Sequence, residues 1–495
     1  MLRKIRISIA SLMIVVITAL FLDISGVLHV YLGWAAKIQF LPALLALNVE
    51  VLAVLVVLTL IFGRAYCSVV CPLGIMQDIF AWFGKKRKKN RYSYSPEKKW
   101  LRYTSFIIYA ICVIVGVPVV VTLFAPYSAF GRIITSLFQP LVLLVNNGLA
   151  ALESHYQSYM FYTREVWLRG LLPIIISILT LAVLAVLSWR NGRTYCNTIC
   201  PIGTMLSFFA RFSLFRIKID EQKCNSCGLC ARNCKAAAID VNSHSIDYSR
   251  CVDCFDCLDK CKHDALHYEH ILANNSQKVH EAGGDVSDKS RRSFLLGSAM
   301  AVSAAAVAQT KKKVDGGLAV IEDKKEPTRQ MPVLPVNAVS QKHLAKHCTS
   351  CQLCISECPN NVLRPSGSFE NLMQPVMSYE RGYCRPECTR CGDVCPTGAI
   401  LPFNREEKTG IHVGHAVWIE QNCIPVVDGV ECGNCARHCP VGAIMMVEKF
   451  TGSAFVNVPV VDENICIGCG ACENLCPARP FSAIYVEGYE QQIKD

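Results

Sequence analysis

Twenty-nine cysteines in 495 residues set the chemistry, because most of them recur at fixed spacing. Cys224, Cys227, Cys230 and Cys234 follow the pattern C-x2-C-x2-C-x3-C, and so do Cys251, Cys254, Cys257 and Cys261. Three thiolates two residues apart wrap one face of a cuboidal 4Fe–4S cluster, and the fourth, too far along the chain, caps the neighbouring cluster. One cluster is therefore assigned to Cys224, Cys227, Cys230 and Cys261, and the other to Cys251, Cys254, Cys257 and Cys234. Two tandem matches leave little room for zinc or coincidence. Lys235 and Lys262 stand where such runs usually carry proline, which bears on local geometry or potential rather than on binding.

Four more quartets follow. They are Cys348, Cys351, Cys354, Cys358; Cys384, Cys388, Cys391, Cys395; Cys423, Cys432, Cys435, Cys439; and Cys466, Cys469, Cys472, Cys476. Each ends in Cys-Pro, and the second and third open more loosely. These sixteen thiolates predict four further 4Fe–4S clusters, six in all, with the 24 cysteines as iron ligands. Spacing leaves two pairings open: adjacent quartets, or first with fourth and second with third.

Four cysteines form a different device. Gly63-Arg64-Ala-Tyr66-Cys67-Ser-Val-Val-Cys71-Pro72-Leu-Gly74-Ile-Met76 is repeated as Gly192-Arg193-Thr-Tyr195-Cys196-Asn-Thr-Ile-Cys200-Pro201-Ile-Gly203-Thr-Met205. Eight of fourteen positions agree. Two related helix pairs would present Cys67, Cys71, Cys196 and Cys200 close together, to bind a further cluster or metal or to do redox chemistry. Cys112 stands alone in an apolar run and reads as a small buried hydrophobe.

These residues must be positioned by a membrane module. Apolar runs cover about residues 5–26, 40–63, 103–125 and 170–189, each long enough for the roughly 20 residues that cross the hydrocarbon core. The net charge of +11 is not a nucleic-acid signature, since the basic residues flank apolar spans; the loop Lys85–Arg102 and the N-terminus are expected in the cytoplasm. The apolar stretch 133–152, with Asn146 and Asn147, is read as interfacial or re-entrant. The expected fold class is an α-helical membrane bundle of about four transmembrane helices plus α+β bacterial-ferredoxin-like domains. Its parts are residues 1–215 (membrane module), 216–270 (two-cluster domain), 271–345 (linker) and 346–495 (four-cluster domain).

The paired C-x3-C-P motifs followed by a ferredoxin domain resemble NapH of periplasmic nitrate reductase systems and the membrane parts of NosR and CcoG type proteins, over about residues 1–270. The resemblance implies a four-helix, quinol-interacting membrane protein. Candidate proton acceptors for quinol are Asp23, Glu50, Glu153, His155 and Glu165, with Glu50 deepest by sequence and His155 best in resting pKa. Together with the four C-x3-C cysteines, Glu50 and His155 are the candidate catalytic residues.

Ser290-Arg291-Arg292-Ser293-Phe294-Leu295-Leu296 precedes an alanine-rich stretch to Ala308 and resembles a Tat signal, the export route for folded, cofactor-loaded proteins. Lys311, Lys312 and Lys313 just beyond it oppose export. With residues 290–495, this half resembles NapG and MauM-type polyferredoxins, so the chain as a whole resembles a NapH–NapG fusion. Residues 216–270 are then expected in the cytoplasm and 346–495 in the periplasm of an inner-membrane protein.

No dinucleotide fingerprint or P-loop is present in the sequence. The expected function is electron transfer: quinol oxidised in the membrane, electrons passed to a periplasmic reductase or cytochrome, with the lipid, the quinone pool and a redox protein as partners and no nucleic acid. Two alternatives belong to other classes, a redox maturation factor for a metalloenzyme and a quinone-coupled oxidoreductase with all six clusters cytoplasmic. If the last domain is exported, roughly 30 Å of hydrocarbon separates the two cluster groups. The membrane cysteines or the quinone pool must then link them.

Overall fold

The computed structural model describes residues 1–23, 25–85, 92–155, 162–166, 168, 170–271, 322–451 and 455–495. The Tat-like stretch 290–308 and residues 86–91 of the basic loop lie outside them.

Helix α1 (Leu2–Leu22) buries Arg6, Ala10, Met13, Ile17, Leu20 and Phe21, one face at helical spacing. Its other face exposes Ile5, Ile9, Leu12 and Val15. An aliphatic outer surface of this kind suits lipid rather than water. The short α2 (Val27–Leu32) follows, then α3 (Phe40–Leu45) and α4 (Val49–Phe62). After the first C-x3-C motif come α5 (Pro72–Lys85), α6 (Lys99–Val115), α7 (Pro118–Phe124), α8 (Pro126–Ile133) and α9 (Gln139–His155). Helix α10 (Leu171–Asn191) leads into the second motif and α11 (Pro201–Ala210). Like α1, α10 points aliphatic residues outward and buries Ser177 and Ser188, small groups that let neighbouring helices approach.

Among the described residues three helices are long and apolar enough to cross a membrane: Leu2–Leu22, Pro126–Glu153 and Leu171–Asn191. The four long spans expected from hydropathy are not all reproduced. The run 40–63 breaks where Leu47 turns left-handed (φ 53°) and Asn48 caps α4 through the Val51 N–H. The run 103–125 breaks at Gly116 (φ 83°), with Pro118 opening α7. The segment expected to be re-entrant belongs to one of the long helices, and two of its residues reach toward Ser356 and Pro359. Gln139 donates to Ser356 O (3.3 Å), and Asn147 leads through Arg164 O (2.7 Å) to Pro359 O, which Arg164 reaches at 3.4 Å.

The two cluster-bearing units lie at opposite ends of α1, which at 21 residues spans about 30 Å. At its start, Arg3 donates to Asp256 (2.8 Å) and Asp259 (2.9 Å). At its end, Phe21 packs against Gly131 of α8, which lies against the Cys351 carbonyl, and Arg390 donates to Ser25 O (2.8 Å). The first unit is closed by antiparallel strands β1 (Phe215–Ile219) and β2 (Leu266–His270). The second is built on three strand pairs. Its two larger pairs are β3 (Ile411–Trp418) with β6 (Ile484–Lys494), and β4 (Ile444–Phe450) with β5 (Phe455–Val461).

Candidate electron-transfer centres

The repeated motifs meet inside the bundle with pseudo-two-fold symmetry. Arg64 of the first motif donates to Cys196 O of the second (3.0 Å), and Arg193 of the second donates to Cys67 O of the first (2.7 Å). Each arginine crosses over the other motif's glycine. A Cβ on Gly74 would stand 2.1 Å from Cys67 O, and one on Gly203 would stand 2.2 Å from Cys196 O and 2.8 Å from the Arg64 guanidinium. Those contacts leave room for hydrogen only. The Gly-Arg and Pro-x-Gly parts of the repeat thus serve the same turn.

Cys67, Cys71, Cys196 and Cys200 are all buried and near enough for each to feel the charge of the others. Donors point at the sulfurs: Gln77 Nε2 at Cys196 Sγ (3.2 Å), the Gly203 N–H at Cys200 Sγ (3.4 Å), and Arg64 at Cys67 Sγ (3.9 Å). Buried Arg193 Nη2 and Gln77 Oε1 have no hydrogen-bond partner among the described residues. Four sulfurs ringed by N–H donors fit a thiolate-ligated anionic cluster, whose charge such bonds stabilise.

One pocket of the first unit sits directly above. Cys234, Cys251, Cys254 and Cys257 line one cavity, the set that the capping rule assigns to a single cluster. It rests on the motif glycines: Asp253 abuts Gly63 and the Lys235 carbonyl abuts Gly192. Arg64 and Arg102 both donate to Ser249 O (3.0 Å), two residues before Cys251. In the outer set, Cys230 lies near Cys224 and Cys227, and Cys227 is exposed.

In the second unit adjacent quartets exchange their last cysteine. Cys348, Cys351 and Cys354 gather with Cys395. Cys384, Cys388 and Cys391 line a pocket with Cys358. Cys423, Cys432 and Cys435 neighbour Cys476, and Cys466 and Cys469, which lie beside Cys472, neighbour Cys439. The Cys384 N–H bonds to Cys469 O (2.9 Å), joining the two halves.

The regular quartets share a backbone device that spacing alone hides. Residues flanking the second cysteine are left-handed: Ser226 and Gly228, Asp253 and Phe255, Ser350 and Gln352, Gly468 and Gly470. Such turns curl amide groups into a concavity that suits an anion. Burial pushes the Cys384 and Cys435 thiols up to about 11 and the Cys254, Cys351 and Cys469 thiols up to about 12. Bare thiolates are therefore disfavoured near neutrality, and the protons leave as metal binds.

Between the four membrane thiols and Cys351 stand aromatic and charged groups. Tyr195, beside Cys196 and Cys200, donates to Phe124 O (2.9 Å). Arg132 lies close to both Tyr195 and Cys351, and Tyr127 lies close to Cys351 and Cys395.

The other sequence candidates are not drawn to these centres. Glu50 is exposed in the first turn of α4, while the cysteines follow that helix's far end, about 20 Å along its axis. His155 ends α9, and its side chain lies outside the described set. Glu165 pairs with Arg381 at 3.5 Å, and Glu153 lies near the end of α9. Asp23 turns the chain after α1, accepting from the N–H groups of Ser25, Gly26 and Leu28. Cys112 is half-buried in α6.

A family model described as a 4Fe–4S binding domain matches residues 49–90 and 172–220, which contain Cys67, Cys71, Cys196 and Cys200. A 4Fe–4S dicluster domain model matches 347–424 and 430–479. The methylamine utilization ferredoxin-type protein MauM of Methylophilus methylotrophus is 30% identical over 168 residues, covering 32% of this chain and 72% of MauM. The chain belongs to the MauM ferredoxin-type family. The ferredoxin-type protein NapF of Escherichia coli K12 is 28% identical over 151 residues, 30% of this chain and 82% of NapF. An uncharacterized protein of Methanocaldococcus jannaschii, MJ0749, is 39% identical over 100 residues; the match spans 20% of this chain and 40% of that protein. MauM-type membership, the 4Fe–4S domains and the three apolar helices make this an iron–sulfur electron-transfer protein consistent with a membrane setting.

Proposed function

We propose that the protein carries single electrons across the inner membrane through seven thiolate-held centres. The observation that carries this reading is the group of four membrane thiols, placed between cluster pockets at opposite ends of the bundle. The order would be Cys224/227/230/261, Cys234/251/254/257, Cys67/71/196/200, Cys348/351/354/395, Cys358/384/388/391, Cys439/466/469/472 and Cys423/432/435/476. When bound, the clusters supply reversible one-electron chemistry. The chain's own part is to hold the thiolates, aim N–H donors at the sulfurs and exclude water. The first unit would face the cytoplasm and the second the periplasm, where a reductase or cytochrome would accept electrons, as in a NapH–NapG arrangement.

Quinol would be the electron source, and one feature supports it. A groove of about 300 Å³ opens between α6 and α7, lined by Leu101, Thr104, Ser105, Ile108, Phe124 and Ile199. Ser105 donates to Ile199 O, one residue before Cys200 (3.0 Å). The groove's residues include no Asp, Glu or His, so the proton acceptor would be water or a hydroxyl.

The test is vectorial transfer in proteoliposomes, with dithionite outside and ferricyanide trapped inside. Wild type should reduce the trapped oxidant. Cys67→Ser combined with Cys200→Ser should slow it at least tenfold while leaving the six ferredoxin-type clusters in place. Equal rates in the two proteins would defeat the relay.

A further inference from the structure

A histidine that stood out in no sequence pattern completes a second buried cluster of ligand groups. Asp23 follows α1, His29 lies on α2, and Glu357 ends α12 (Leu353–Glu357) of the second unit, immediately before Cys358. The three side chains are 2%, 8% and 1% exposed. His29 Nδ1 lies 3.1 Å from Glu357 Oε1 and 3.6 Å from Asp23 Oδ2. Apart from their ion-pair contacts in this group, His29 Nδ1 and Glu357 Oε1 have no hydrogen-bond partner among the described residues. Leaving such atoms poorly satisfied away from water is costly, and His29, Glu357 and Asp23 each turn one ligand atom to a common point, all within 4.8 Å of one another.

We propose that Asp23, His29 and Glu357 bind a divalent transition-metal ion, with zinc the best geometric match, and that the ion staples the second unit to the membrane bundle. Ligand atoms about 2.0 Å from a tetrahedral zinc lie roughly 3.3 Å from one another. The two separations from His29 Nδ1, 3.1 and 3.6 Å, bracket that value, and the two carboxylate oxygens lie within 4.8 Å of each other. One imidazole and two carboxylates suit zinc, with a fourth position left for water.

The surroundings hold the ligands for this task. Asp23 is oriented by the N–H groups of Ser25, Gly26 and Leu28 and by the Ser25 hydroxyl (2.8–2.9 Å), the supporting bonds that fix a metal-binding carboxylate. Arg390 Nη1 stands 3.9 Å from Glu357 Oε2, the oxygen the ion does not use, and its other nitrogen holds Ser25 O. Two ligands come from the bundle and one from the cluster-bearing unit, so binding the ion requires the two to be docked.

The experiment uses the full chain in detergent with its clusters in place, dialysed against EDTA, equilibrated with zinc and gel-filtered. Wild type should retain one zinc per chain, and His29→Gln and Glu357→Gln should retain none at unchanged iron and sulfide. X-ray absorption of the wild-type zinc should show only nitrogen and oxygen ligands near 2.0 Å, a readout that stands even if the variants fold poorly. A sulfur shell near 2.3 Å, no retained zinc, or equal zinc in the variants would each overturn the proposal.

Discussion

The first cluster-bearing unit meets the bundle through one continuous network of buried charge, and the second through neutral, closely packed contacts plus a separate buried group of Asp23, His29, Glu357 and Arg390. At the first interface Asp78 accepts from Arg6 (2.6 Å) and Arg193 (2.8 Å), and Lys235 lies 3.5 Å from Asp78 and 2.9 Å from Asp256, which also takes Arg3. At the second, Thr122 and Ser350 share a hydroxyl bond (2.9 Å), Gln139 reaches Ser356 O, and Phe21 and Gly131 pack against the Cys351 loop. A buried ionic network tolerates no missing partner, because each removal strands a charge. A neutral interface loses one modest contact at a time. The first docking is therefore closer to all-or-none than the second.

The contrast can be broken most directly at its centre. Asp78→Ala should cost about 3–5 kcal/mol by leaving Arg6 and Arg193 without their carboxylate and Lys235 with Asp256 alone, read as a lower thermal midpoint and loss of iron from the first unit. If Asp78→Ala is as stable as wild type, the network does not hold the interface. Next in size, Gly203→Ala should cost about 1–3 kcal/mol or more by forcing Arg64 off the Cys196 carbonyl. Its signature is loss of iron equivalent to one centre, with the second unit's spectrum intact.

A protease site engineered between residues 272 and 321 sharpens the difference. After cleavage, the second unit, then held only by noncovalent contacts, should leave the membrane pellet in less urea than is needed to bleach the clusters of the first unit, which stays joined to the bundle through residues 211–215, measured by sedimentation with immunoblot and by visible absorbance. Release and bleaching at the same urea concentration would show one shared interface energy.

A smaller effect is expected from pH. Burial would raise Asp256, but Lys235 outweighs it and holds the carboxyl below its usual 3.8. Burial would lower Lys235, but Asp78 and Asp256 hold it above 10.5. The depressed carboxyl stabilises above about pH 4 and the effect is lost as pH falls; the raised ammonium stabilises below about pH 10 and it is lost as pH rises. The first interface should therefore be insensitive between those limits, as judged by thermal melts from pH 5 to 9. Smallest of all, Ser350→Ala should cost no more than about 1.5 kcal/mol.

Much of the chemistry was legible because thiolate clusters demand fixed spacing. The capping rule reads the set Cys234, Cys251, Cys254 and Cys257 from sequence, and the structure gathers those four. It could not choose among the last four quartets, since the choice depends on how two halves fold onto each other. The Gly-Arg repeat was visible, but its purpose was not: Arg64 and Arg193 act across about 130 residues on each other's motif. Hydropathy gave the apolar runs but not the breaks at Leu47, Gly116 and Pro118. It also says how deep a residue lies but not which way it faces, so it ranks Glu50 deepest where the structure leaves that side chain exposed, and it passes over His29. A lone histidine in an apolar run carries no pattern until Glu357 arrives from 328 positions away.

The crossed arginines carry a historical consequence. Because each motif's turn is completed by the other's guanidinium, neither half can fold its thiol loop alone. In a shorter ancestor with a single motif, the same contacts would form between two identical copies about a two-fold axis, each lending its arginine to its twin. Duplication within one gene would then have freed the two halves to diverge, so that one surface of this originally symmetric pair could accept a single, asymmetric lodger.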